Sequence, residues 1–303
     1  MDVPELPDVT VYVDRLRALA VGQPLARLRV LNLFVLRSVQ PSPDAFKDRT
    51  LVDVTRLGKR IVFEFGGDLF AIVHLMVAGR LHWRAPGVAI GGRGVLAALD
   101  FPTGSLVLTE AGTKRRASLH LVDGRAGLTA FHRDGVDIFS TSPEAFGETL
   151  RRRNRTLKRA LTDPDVVDGV GNAYSDEILH RARLSPFRQT EAMTGAEVST
   201  LLASARAVLQ EWIERLGAEA ADGFPEHVTA FRPEMAVHGK YGKPCPVCGA
   251  PVQRIRYADN EANYCATCQT GGRLLADRAL SRLLHEDWPR TLAELEEAPR
   301  RMV

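Results

Sequence analysis

The sequence predicts an α+β fold in which one helix precedes an antiparallel β-sandwich or barrel, followed by a helical domain that carries a small metal module. Three observations lead there. Short β-rich runs such as "RIVFEF", "DLFAIVHL" and "SLVLTE" fill residues 26 to about 132, helical periodicity takes over from about 143 to 221, and all four cysteines fall in residues 245–268. A chain of 303 residues is long enough for two domains.

The first helix is expected over residues 8–21, "DVTVYVDRLRALAV", where apolar side chains recur at helical spacing behind a proline and an aspartate suited to a first turn. The β-rich runs that follow are separated by Gly, Asp and Pro, the punctuation of hairpins rather than of crossover helices. The segments "SPEAFGETLRRRN", "TLKRALTD", "NAYSDEILHRARL" and "GAEVSTLLASARAVLQEWIERL" each show a period of 3.6 or a capping residue. Residues 220–239, punctuated by Gly and Pro, read as a loop. The resulting division is 1–132, 143–235, 236–272 and 273–303, the last an amphipathic tail whose Leu274, Leu275, Leu280, Leu283 and Leu284 would share one helical face with Trp288 as anchor. That tail packs back onto the protein or docks a partner protein.

Hydrophobic residues make up 45% and charged residues 25%, which excludes a disordered or fibrous chain. No apolar run reaches the roughly 18–20 residues that a membrane-spanning helix needs, and the first residues lack a signal-peptide layout. A cytoplasmic protein is expected. The net charge of +3, from 40 basic and 37 acidic residues, is too small to name a partner. Its distribution says more: "RRRNRTLKRA" places Arg151, Arg152, Arg153, Arg155, Lys158 and Arg159 together without an acid, the pattern of a cationic face.

"CPVCG" and "NYCATCQ" supply Cys245, Cys248, Cys265 and Cys268, with sixteen residues between the pairs. Two such knuckles present four thiolates to one zinc ion in a closed structural site, and a reducing compartment favours metal over disulfides. In "DGVGNAYSDEILHRARLSP", Gly169 and Gly171 flank a tight turn and Asn172 takes the N-cap position of a helix, whose positive end suits an anion such as phosphate.

"PELPDV" at 4–9, "GVGNAYSDEIL" at 169–179 and the four-cysteine finger, in this order, resemble the formamidopyrimidine-DNA glycosylase and endonuclease VIII family, which excises damaged bases from DNA. The resemblance covers all but the last 30 or so residues. It implies an N-terminal helix with a β-sandwich, then a helix-two-turn-helix domain ending in the zinc finger. It also implies double-stranded DNA with a damaged base or abasic site as partner, a monomer, and a place at the nucleoid. By the same resemblance Pro4 is the amine nucleophile, Glu5 the proton shuttle, and Lys59 a catalytic hairpin lysine near the lesion phosphate and sugar. His74, Asn172 and Lys158 are expected at phosphates, and Arg115 in the gap left by the flipped base.

Several positions depart from the family pattern. Val3 precedes Pro4, so the Pro4 nitrogen is an amide without nucleophilic character. Either the residues before Pro4 are removed, or Glu5 activates water for base hydrolysis alone, or Lys59 or the Met1 amine substitutes, or the chain only senses damage. Val77 and Ala117 stand where the family inserts larger side chains beside Arg115, and strand alternation would turn Met76 to the opposite face. Asn260 replaces the finger arginine, leaving Arg254, Arg256 or Arg273 as substitutes. A zinc-ribbon transcription or replication factor would explain the finger and leave the other two motifs unexplained.

Overall fold

The computed structural model describes residues 3–111, 115–221, 223–257, 261–275, 290–292 and 294. Two compact units share the chain: Met1–Asp134 with Leu209–Ala230, and Gly135–Val208 with Phe231–Val303. Among the described residues, the long helix α6 (Gly195–Glu219) contributes to both.

In the first unit α1 (Leu6–Ala20) begins two residues earlier than periodicity suggested. Pro7 is tolerated in the first turn, where its missing N–H would have had no intrahelical partner, and Glu5 takes the N-cap position. Val9, Tyr12, Val13, Leu16 and Ala20 form the buried stripe. Eight strands follow: β1 (Arg27–Val30), β2 (Leu51–Leu57), β3 (Arg60–Phe65), β4 (Leu69–His74), β5 (Gly79–Arg84), β6 (Val95–Phe101), β7 (Gly104–Glu110) and β8 (Ser118–Asp123). They make two four-stranded antiparallel sheets, ordered β1-β6-β7-β5 and β2-β3-β4-β8.

Alternation along β3 explains the layers. Ile61, Phe63 and Phe65 join α1 and the other sheet in the main core, while Val62 turns to the opposite face with Phe70 and Ile72, covered by Leu128 of α2 (Arg125–Thr129) and by Phe131. The turn from β4 to β5 requires Gly79, since a Cβ there would lie 2.2 Å from the Leu75 carbonyl oxygen.

The second unit contains α3 (Pro143–Arg151), α4 (Leu157–Leu161), α5 (Asn172–Arg181), the start of α6, the hairpin of β9 (Gln253–Arg256) and β10 (Glu261–Tyr264), and α7 (Ala266–Thr270). Ser142 caps α3 by accepting the Ala145 N–H. The expected N-cap at Asn172 is corrected: Gly171 is the cap and Asn172 the first helical residue. Residues 220–239 contain no helix or strand among those described, as expected of a loop, yet they are firmly held. Phe224 packs on Tyr12 with ring centroids 5.5 Å apart, Arg80 donates to the Val228 carbonyl at 2.8 Å, and Glu226 engages His82 and Arg84.

Leu274 and Leu275 are buried against Ile255, Tyr264 and Phe187, but in non-helical backbone; the Leu275 N–H donates to the Tyr264 hydroxyl at 2.7 Å. The helical face expected to include them therefore does not start there. Leu280, Leu283, Leu284 and Trp288 lie outside the described residues. No helix among the described residues is long and apolar enough to cross a membrane.

Candidate active site and metal centre

Glu5 is buried at the N-cap of α1, and its backbone N–H donates to Asp8 Oδ2 at 2.9 Å, half of a capping box. A carboxylate there sits at the positive end of the helix dipole, which favours the anion. Pro4, the preceding residue, is also buried.

The Arg17 guanidinium grips Asp53 at 2.9 and 3.1 Å, and the Gly22 N–H donates to Leu51 O at 2.8 Å. The C-terminal end of α1 is thus fixed at the start of β2.

Sheet register gathers Lys59, His74 and Arg115 at one end of the sheet β2-β3-β4-β8. Arg60 pairs with His74, and His74 with Ser118, the first residue of β8, just after Arg115, Arg116 and Ala117. Glu110 Oε1 accepts the backbone N–H groups of Arg116 and Ala117 at 2.8 and 3.1 Å, which fixes the approach of Arg115; Arg115 itself is exposed. Burial first, then the charges of Arg60 and Lys59, hold the His74 imidazole down to about 4. At neutral pH it is an uncharged hydrogen-bonding group on a cationic rim.

One reading around Arg115 changes. Ala117 is buried in the core, in keeping with a small residue that does not fill the gap. Met76 lies in the turn with φ of +53°, where strand alternation does not apply, and Val77 in the same turn is half-buried. In the finger, Asn260 lies outside the described residues. Arg254 stacks on Tyr241, its guanidinium carbon 4.0 Å from the ring centroid, whereas Arg256 and Arg273 are exposed.

The basic run is less of a face than its composition suggested. Arg152, Arg153 and Arg159 are exposed, but Arg151 donates to Met193 O at 2.8 Å and Arg155 pairs with Asp163. Lys158 is corrected most: it is 5% exposed, and its ammonium donates to Asn172 O (2.7 Å), Ser175 Oγ (2.9 Å) and Asp176 Oδ1 (2.6 Å). Asn172 Nδ2 donates to the Glu261 carbonyl of β10 at 3.0 Å. Sequence reasoning missed the acids behind this arrangement. Asp176 Oδ2 accepts His238 Nδ1–H at 2.8 Å and Asn263 N–H at 3.1 Å, while Glu177 accepts the N–H groups of Ala236, Val237 and His238. Burial pushes the Glu177 carboxyl up, against those three donors. "SDEI" offered the acids, but nothing in its spacing announced partners some 60 residues away.

The sulfurs of Cys245, Cys248, Cys265 and Cys268 all lie within 4.8 Å of one another, a set that fits a tetrahedral structural zinc ion with no open position. The Cys268 N–H points to Cys265 Sγ at 3.5 Å, and His180 of α5 places Nε2 3.2 Å from Cys245 Sγ, as a donor to a metal-bound thiolate would. Gln269 clips the module to its surroundings, accepting from Cys265 N–H and donating to Leu184 O.

Three family models match in the same order: the formamidopyrimidine-DNA glycosylase N-terminal domain over 3–126, the formamidopyrimidine-DNA glycosylase H2TH domain over 138–222, and a zinc finger found in FPG and IleRS over 242–271. The formamidopyrimidine-DNA glycosylase of Thermus thermophilus is 33% identical over 290 residues, covering 89% of this chain and all of that protein. An uncharacterized formamidopyrimidine-DNA glycosylase-like protein of Mycobacterium tuberculosis is 41% identical over 151 residues, covering 50% of this chain and 93% of its own. The Lactococcus lactis Fpg, solved in complex with DNA containing an abasic site, superposes with a TM-score of 0.78 at 25% identity, covering 88% of this chain and 99% of that one. The chain belongs to the formamidopyrimidine-DNA glycosylase family, and it is a DNA glycosylase of base-excision repair with a structural zinc finger.

Proposed function

We propose that this chain excises damaged bases from duplex DNA with Glu5 as the residue that moves the proton at the sugar. The observation that supports the reading is the buried carboxylate at the α1 N-terminus, in the same unit whose sheet register brings Lys59, His74 and Arg115 to one end. Lys59 supplies a positive charge for the lesion phosphate and sugar, and neutral His74 a hydrogen bond to a phosphate oxygen. Arg115, anchored through its neighbours on Glu110, enters the gap left by the flipped nucleotide. In the second unit Asn172 and the positive end of α5 take a further phosphate. The Lactococcus lactis neighbour, solved on abasic-site DNA, supports the same partner here, and a monomer acting at the nucleoid in the cytoplasm fits this chemistry.

The Val3–Pro4 peptide decides how far the reaction goes. While it is intact, Pro4 has no free lone pair, and water activated by Glu5 releases the base without cutting the strand. Once Pro4 is the first residue, its secondary amine attacks C1′ of the sugar, the base leaves, and the iminium formed acts as the electron sink for elimination of the 3′ phosphate. Borohydride reduction of mixtures with abasic-site duplex DNA tests this directly. The full chain should release the base from duplex DNA carrying a damaged base yet give no covalent adduct with the abasic-site duplex, and a chain shortened to begin at Pro4 should be trapped. Replacing Glu5 by Gln should slow base release roughly 10²- to 10⁴-fold in both. Unchanged release by that variant would refute the assignment of Glu5.

A further inference from the structure

We propose that Lys158 is a positioning residue rather than a DNA contact: with Asp176 and His238 it forms a buried charge cluster that sets the start of α5 against the finger strand β10. The inference rests on the reading that Asn172 meets a DNA phosphate. Donor arithmetic carries it. An ammonium has three N–H groups, and those of Lys158 face three acceptors at 2.6, 2.7 and 2.9 Å, so none remains for a phosphate. Nor is the group reachable, because Lys158, Asp176 and His238 are 5%, 1% and 1% exposed.

The charge has a local reason. A cation beside the first turn of α5 opposes the helix dipole, and a buried ammonium needs a counterion; Asp176, one turn into α5, supplies it. The other oxygen of Asp176 reaches outward to His238 Nδ1 and to the Asn263 N–H of β10. The His238 backbone N–H in turn donates to Glu177, and the neighbouring Gly239 N–H to Asn263 Oδ1. One carboxylate thereby joins α4, α5, the connector at 236–239 and β10. The two groups it spaces are Asn172, whose carbonyl Lys158 holds, and the β10 carbonyl of Glu261, which Asn172 Nδ2 holds. The cluster determines where the Asn172 side chain and the α5 N-terminus stand relative to the finger hairpin.

The test uses the full zinc-loaded chain and abasic-site duplex DNA. Because Lys158→Met alone would leave Asp176 buried and uncompensated, the working variant is Lys158→Met with Asp176→Asn, which removes both charges at nearly constant volume. Kd is measured at several salt concentrations, with and without Asn172→Ala, alongside zinc content and Tm. The expected result is a Kd raised at least tenfold, an unchanged slope of log K against log salt, and little added loss from Asn172→Ala. A direct phosphate contact would instead lower the slope by about 0.9 and overturn the proposal. So would fully additive effects of the two changes, or a native Kd with only Tm lowered, which marks a purely structural pair. Native affinity in Asn172→Ala alone would show that the phosphate reading itself had failed and would take the inference with it.

Discussion

Lys59 and Lys158 look alike in the sequence, each directly followed by an arginine, yet the two regions use them in opposite ways. Lys59 sits in a two-residue turn at the rim of a sheet, partly open to solvent, where nearby cations depress His74 rather than neutralise one another. Lys158 is inside, saturated by a carboxylate, a hydroxyl and a carbonyl. The first region leaves charge open to solvent, and its placement comes from strand register. The second consumes charge internally, and its precision comes from a continuous polar network running into the zinc module. Positive charge in a sequence therefore identifies a DNA-facing surface only after burial is known.

Zinc is the largest lever on this contrast. Replacing Cys265 by Ser should release the ion and loosen the finger, because structural zinc contributes about 10 kcal/mol or more in small fingers. Zinc analysis and hydrogen exchange should locate the loss in the second unit, with α1 and the two large sheets still protected. Loss of protection throughout would break the idea that the two regions are held by separate means.

The rim has its own signature, in pH. The His74 pKa is about 4 in the folded chain against an ordinary 6.5, so the unfolded state binds the proton more readily. Its contribution to stability is full above pH 6.5 and disappears as pH falls toward 4, by up to roughly 3 kcal/mol. Denaturant unfolding of His74→Gln should lack that part of the acid destabilisation; an identical pH profile would show the imidazole to be well solvated.

Smaller effects sharpen the comparison. His180→Leu removes the donor to Cys245 Sγ, and zinc transfer to a chelator should become about 10- to 100-fold more favourable, as for other outer-shell partners of metal ligands. A cobalt-substituted protein should shift its thiolate charge-transfer band in parallel. Lys59→Met should lower the salt slope of DNA binding by about 0.9 without changing Tm by more than a degree or two. An unchanged slope would mean that Lys59, like Lys158, is occupied within the protein.

Much of the fold was legible because it depends on local periodicity. The β-runs, the helices of residues 143–221 and the cysteine knuckles all carry their pattern within a few residues, and the α1 boundary differed only because Pro7 fits a first turn. The misreadings share a different cause. Met76 was read through strand alternation although the chain turns there with a left-handed residue. Leu274 and Leu275 have helical spacing but dock in non-helical backbone, since their partners Tyr264 and Phe187 reward burial in either conformation.

The sequence by itself determined the family and the metal set, because both depend on residue types at short fixed spacings. Only the tertiary structure decided which cations face outward, that Asp176 is shared by Lys158 and His238, and that the C-terminal end of α1 is tied to β2 through Arg17 and Asp53. These are pairings across tens of residues, set by register and by the cost of burying an unpaired charge, and no local pattern encodes them.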